Sequence, residues 1–358
     1  MQGKTSWRTT RYLSIGESER WLSFQNIAFW GDNKDFRWVP ITTPMKLIDL
    51  HQDLLLSERQ HHSLSSAQTN FTMLERADVR VVVSTGFADV EPADDPSAND
   101  WIEEDLAFFA QHCVKNPSWR IIKTAGDLQA ALHGDARGIL CHIEGLNALP
   151  ERAELFNTLE RWHGLGLRSI GPLWNVNNVF GGGTKDPERT LTPIGRELID
   201  WCEVRNIVLD LAHMNEPTFW DALAASSRPP FISHAGMRAL VDSPRNLSDE
   251  QLRAIAKRGG VVGIYVSRGF IAPHLERSEF MLDAVAKHLE HAVAIMGVDH
   301  IALGTDYGGI LSGTPADAPT IADIGALFDL LRKRTWSEDA IEKIAHKNTE
   351  RVLAAHLG

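Results

Sequence analysis

The chain has 358 residues, is 43% hydrophobic and 23% charged, and carries 36 Lys and Arg against 47 Asp and Glu, a formal net charge of −11. This is ordinary globular usage, which excludes a disordered, fibrous or coiled-coil chain. The acidic balance repels phosphate backbones and argues against nucleic-acid binding.

In chain order, Met1 to Trp30 is broken by Arg, Glu and Ser and shows no apolar block of a secretory signal. No later apolar run approaches the roughly 20 residues of a membrane span. The three cysteines, Cys113, Cys141 and Cys202, have no metal-like spacing. The expectation is a reduced, cytoplasmic protein without membrane contact.

Residues 1–44 hold four of the eleven tryptophans, Trp7, Trp21, Trp30 and Trp38, without helical periodicity. They read as an N-terminal extension packing on the main body: a structural arm, a subunit interface of a homodimer, or a lid. From Met45 to the C-terminus short apolar, β-branched runs alternate with longer amphipathic segments. The runs are Lys46–His51, Val79–Thr85, Gly138–Ile143, Leu167–Leu173, Ile207–Ala212, Pro230–Ser233, Val261–Val266 and His300–Gly304. Such continuous hydrophobicity suits strands buried on both faces. Thr192-Pro193 predicts a capped helix start, and Ser248 with Gln251 predicts a capping box. Eight strands alternating with helices predict a single α/β domain over 45–358, a (β/α)8 TIM-like barrel. An open doubly wound sheet is the alternative, weakened by the lack of a Gly-rich phosphate fingerprint after any early strand.

Catalytic groups of such a barrel sit where strands run out into loops at their C-terminal ends. Five runs end in suitable chemistry: Asp49-Leu50-His51-Gln52-Asp53, His142-Ile143-Glu144, Asp210-Leu211-Ala212-His213, Ser233-His234 and Gly304-Thr305-Asp306. His51 and Asp53, two apart, can aim at one point. His213 and His234 end consecutive strands and can meet on one ion. Glu144 can bridge the two groups, giving a site for two divalent ions, with zinc the natural fit for imidazole and carboxylate donors. Asp306 can take a proton from metal-bound water and pass it to a leaving amine.

These stretches, with Leu191-Thr192-Pro193-Ile194-Gly195-Arg196 and Ser243-Pro244-Arg245-Asn246-Leu247, resemble the membrane (renal-type) dipeptidase family, peptidase family M19 of the amidohydrolase superfamily, from Lys46 to the C-terminus. The resemblance implies a two-zinc barrel with His51 and Asp53 on one ion, His213 and His234 on the other, and Glu144 bridging. It makes Asp306 the proton-handling aspartate and Arg245 the fork that binds the substrate carboxylate. The implied reaction is hydrolysis of a dipeptide by a metal-bridging hydroxide. One position departs from the family pattern. Trp174 stands where the family carries a histidine near the reacting carbonyl, and an indole carries no titrating proton. Either Asn175 or Asn177 supplies the missing donor, or the substrate is another carboxylate-bearing amide, lactam or lactone. A metal-binding barrel without catalysis is the remaining reading. Arg245, Trp174, Asn175 and Tyr265 are the candidate substrate contacts. The Gly-rich stretch Phe180-Gly181-Gly182-Gly183-Thr184 is either a flap over the site or a plain turn.

Overall fold

The computed structural model describes residues 27–30, 37–40, 45–55, 68–87, 98–149 and 152–358. The chain forms two compact units, Met1–Thr42 and Thr43–Gly358. In the first, β1 (Ile27–Trp30) and β2 (Arg37–Pro40) form an antiparallel hairpin, with Ile27 opposite Pro40 and Trp30 opposite Arg37. Trp7 and Trp21, like His61 and His62 of the second unit, lie outside the described residues.

The second unit contains β3 (Leu47–Gln52), β4 (Val79–Phe87), β5 (Trp119–Ile121), β6 (Arg137–Glu144), β7 (Leu167–Gly171), β8 (Val208–Leu209), β9 (Phe231–Ala235), β10 (Val261–Ile264) and β11 (Ile301–Leu303). Apart from β5, these are the eight runs read from the sequence. They lie in the order β8-β7-β6-β4-β3-β11-β10-β9. The pairing is parallel throughout, and a single parallel bridge, Asp210 with Phe231, joins the two ends of the ladder. Helices alternate with the strands, which is the expected (β/α)8 architecture. The short β5 pairs with β6 at the start of that strand, Trp119 opposite Arg137. Three residues are too few to show a period, so the sequence hides it.

Local chemistry sets the helix starts. Thr192 caps the helix Pro193–Val204 by accepting from Gly195 N, with proline in the first turn. Ser248 and Gln251 form the reciprocal capping box of the helix Asp249–Lys257. The C-terminal helix, Asn348–Leu357, packs Val352, Leu353 and Leu357 into one buried apolar cluster with Val208, Phe231 and Val261. Those three begin their strands, so this helix covers the N-terminal end of the barrel. The C-terminal ends of the strands are left for chemistry. Among the described residues no helix is long and apolar enough to cross a membrane.

Candidate metal centre

Six predicted residues come together at the C-terminal mouth. His51 lies on β3 and Asp53 just beyond it. Glu144 is the last residue of β6, His213 sits in the turn after β8, His234 is on β9, and Asp306 follows β11. The first five are at most 6% exposed, and Asp306 is half-buried. Glu144 Oε1 is the focus. It lies 2.9 Å from His213 Nε2, 3.5 Å from His234 Nε2 and 3.7 Å from His51 Nε2. His51 Nε2 is 3.8 Å from Asp53 Oδ2, and the Nε2 atoms of His213 and His234 are 3.1 Å apart. Glu144 thus belongs both to a group with His51 and Asp53 and to a group with His213 and His234. His51, His234 and Asp306 make a further such group.

The hydrogen-bond pattern shows that this donor set fits a cation. Asn175 Oδ1 accepts from Thr184 Oγ1 at 3.0 Å and faces His213 Nδ1 at 3.1 Å. An acceptor there puts the imidazole proton on Nδ1 and leaves the Nε2 lone pair pointing at Glu144 and His234. His234 Nδ1 is likewise engaged, by Ser233 Oγ at 2.8 Å. Glu144 Oε1 is buried with no hydrogen-bond partner among the described residues. Buried acceptors facing one another without a donor are costly, and a divalent cation between them removes that cost.

Burial shifts the titrating groups of the site. It drives His51, His213 and His234 well below the usual histidine range, into the neutral form that ligates metal. It lifts Glu144 and Asp53 well above the usual carboxyl range, Asp306 adding to the effect on Asp53. Asp306 is pushed up to about 7 by burial, which Arg245 opposes and Asp49 reinforces. A bound cation reverses the direction for the carboxyls.

The chain is bent to reach this arrangement. His213 and Asp306 are both non-glycine residues with left-handed backbones, φ 63° and 67°, and such strain concentrates at functional sites. Beside Asp306, Gly309 leaves room for the Asp53 carboxylate, since a Cβ there would lie 2.2 Å from Asp53 Oδ2. Buried Asp49 holds the approach to Asp306, accepting from Thr305 N at 2.8 Å and Thr305 Oγ1 at 2.6 Å.

The predicted substrate contacts divide. Arg245 is 7% exposed. Its guanidinium carbon lies 5.9 Å from the Tyr265 ring centre, and among the described residues no carboxylate pairs with it. Trp174 stacks beside His213 at 6.1 Å, meets Phe87 edge-on at 5.4 Å and has Lys185 Nζ over its ring at 5.8 Å. It is an aromatic wall against the metal group. Asn175 serves His213, as above. Asn177, the other candidate donor, is engaged through Oδ1 with Gly183 N at 3.1 Å and through Nδ2 with Asp186. Tyr265 is fully buried, and its hydroxyl donates to Asn246 Oδ1 at 2.6 Å. It supports Arg245 rather than offering a polar group to the mouth. The Gly-rich stretch is a packed turn and not a flap. A Cβ on Gly183 would sit 2.5 Å from the carbonyl oxygens of Trp174 and Val176.

The sequence reading gave no role to several buried partners: Thr85, which reaches His51, and His142, Ser169, Asp210 and Ser233. His142 lies two residues before Glu144 on the same face of β6, a spacing that could have marked it. It bonds Ser169 Oγ through Nδ1 at 2.8 Å and lies 3.7 Å from Asp210 through Nε2, and burial pushes it down to about 3.

The chain resembles known proteins in sequence and in fold. The sequence profile of the family described as membrane dipeptidase (peptidase family M19) matches residues 37–356. A protein encoded in the pqqA 5′ region of Klebsiella pneumoniae is 33% identical over 242 residues, 65% of this chain and 88% of its own length. A dipeptidase of Schizosaccharomyces pombe is 30% identical over 220 residues, 60% of this chain. The match spans only 53% of that yeast protein. Among solved structures, a metallopeptidase of Rhodobacter sphaeroides bound to a phosphinate mimic of the dipeptide L-Ala-D-Ala superposes with a TM-score of 0.77 at 24% identity, covering 88% of this chain and all of that one.

Proposed function

We propose that this chain, which belongs to the membrane dipeptidase family (peptidase family M19), hydrolyses the peptide bond of a dipeptide with the help of two divalent cations, zinc being the expected metal. The observation that carries this reading is the convergence of His51, His213 and His234 on the one unpartnered oxygen of Glu144. His51 and Asp53 would hold one ion and His213 and His234 the other, with the Glu144 carboxylate shared between the two groups. Bound there, the ions supply Lewis-acid polarisation of a carbonyl and a nucleophile at neutral pH.

The chain's own residues do the rest. Arg245, on the His234 side of the group and free of a carboxylate partner among the described residues, takes the substrate's terminal carboxylate with its guanidinium fork. Trp174 and Phe87 form a wall on the His213 side, against which the amino-terminal half of the substrate lies. Asp306 receives the proton of the attacking water on its carboxylate and delivers it to the leaving amine nitrogen. The phosphinate seen in the Rhodobacter relative imitates the tetrahedral geometry of such an attack, and its L-Ala-D-Ala framework directs attention to D-residues at the carboxyl end. A second reading, another carboxylate-bearing amide, lactam or lactone, is favoured by the Trp174 wall, which adds apolar surface.

The deciding assay incubates zinc-loaded protein with a library of L-L and L-D dipeptides and follows depletion by mass spectrometry. Turnover is expected. Two verified metals per chain with no dipeptide consumed overturns the dipeptide reading and moves the substrate to N-acyl amino acids, lactams or lactones. For Arg245, losing charged hydrogen bonds of about 1.5–3 kcal/mol implies that Arg245→Met lowers kcat/KM roughly 10–150-fold, mainly through KM. A C-terminally amidated dipeptide should be poor for both proteins. If Arg245→Met leaves the ratio of free-acid to amide hydrolysis unchanged, Arg245 does not read the carboxylate.

A further inference from the structure

Asp210 lies one residue beyond β8, 1% exposed, at the seam where β8 meets β9. Most neighbouring barrel strands share two or more paired residues, while β3 and β11 share Leu303 with Asp49. Here the two neighbours share the single bridge of Asp210 with Phe231 and the bond from Leu211 N to Phe231 O, 3.0 Å. Both strands nevertheless carry a candidate ligand just above the seam. Something other than sheet pairing must fix the relative positions of His213 and His234.

The Asp210 side chain does this through both neighbours. Its Oδ1 accepts from Ala212 N at 3.0 Å and from Ser233 N at 2.9 Å. Each donor immediately precedes a histidine. The bond to Ala212 closes a tight local turn, after which His213 takes its left-handed backbone, φ 63°. The bond to Ser233 ties the ligand-bearing end of β9 to that same turn. The Ser233 hydroxyl lies 2.8 Å from His234 Nδ1, so the residue whose backbone Asp210 holds also meets the ring of the histidine that follows it. Ser233 is held from the far side as well. Its carbonyl oxygen fills the space a Cβ would take on Gly263 or Gly304, at 2.0 and 1.8 Å.

We propose that Asp210 is the positioning residue of the metal centre, setting the placement of His213 by the turn at Ala212 and the placement of His234 through Ser233. The inference rests on the metal-centre reading above and not on any particular substrate. Partners behind metal-bound histidines commonly change affinity by about 10–100-fold.

The test measures zinc affinity by chelator competition on the full chain, with metal content per chain, for wild type, Ser233→Ala, Asp210→Asn and Asp210→Ala. Asp210→Asn keeps one oxygen for the two backbone donors but holds them as a neutral and weaker acceptor. A loss of roughly 10–100-fold is expected for Asp210→Ala, with smaller losses for Asp210→Asn and Ser233→Ala. In 15N-labelled metal-free protein the ring nitrogens of His213 and His234 should shift in the Asp210 variants, and those of His234 in Ser233→Ala. Asp210→Asn keeps the side-chain shape, so it stays informative if Asp210→Ala does not fold. Wild-type zinc affinity in both Asp210→Asn and Ser233→Ala, with unchanged His213 and His234 ring resonances, overturns the proposal. Failure of the metal reading itself looks different: wild type would then hold no stoichiometric zinc.

Discussion

Asp306→Asn is expected to lower turnover on the order of 10²–10⁴-fold, the usual worth of a positioned acid/base group, while the protein keeps its metal. The side chain belongs to a group with His51 and His234, and its backbone is anchored by Asp306 N donating to His51 O at 3.0 Å. An amide of the same shape keeps the packing and the left-handed turn. It cannot accept a proton and return it. Asp306 is nevertheless close enough to the other donors to act as a ligand. Metal content and kcat must therefore be measured on the same sample. Lost turnover with retained metal assigns the proton to Asp306. Lost metal makes it a ligand instead, and full activity removes it from the chemistry.

Stripping the metal with a chelator is expected to abolish hydrolysis and to lower the melting temperature. A ligand that binds only the folded chain adds about 2.7 kcal/mol when present at 100 times its Kd, and each of two ions contributes on this scale. The structural reason lies in the mouth. Without cations, Glu144 Oε1 and the Nε2 atoms of His213 and His234 stay buried, close and short of donors. The pH dependence has a definite sign. Ligation needs neutral imidazoles and ionised carboxyls, so protons compete with metal. The gap in melting temperature between loaded and stripped protein should narrow as pH falls from 7 towards 5. Equal melting temperatures for the two forms at pH 7 would contradict the metal centre.

Much of the molecule was legible in the chain because the relevant signals are local. A strand buried on both faces must be apolar along its whole length, so Val79–Phe87 and Arg137–Glu144 show themselves within a few residues. A helix start needs its cap close by, as Thr192 and Ser248 provide. The C-terminal ends of barrel strands are where polar groups gather. His51, Asp53, Glu144, His213, His234 and Asp306 could be picked out by position, and the structure brings them to one mouth.

Other features depended on which residue meets which across long stretches of chain. Asn175 is chemically a plausible substrate contact, but its oxygen is taken by His213, 38 residues away. Tyr265 could have offered its hydroxyl to a ligand, but Asn246 holds it. The glycines of 181–183 permit a flap as readily as a turn, and neighbouring backbone and side chains decide for the turn. Asp210 and Ser233 are unremarkable in sequence, 23 residues apart, and only closure of the barrel sets one against the other. Periodicity and caps are written within a turn or a strand, whereas a hydrogen-bond partner is chosen by packing, and packing exists only once the barrel has closed.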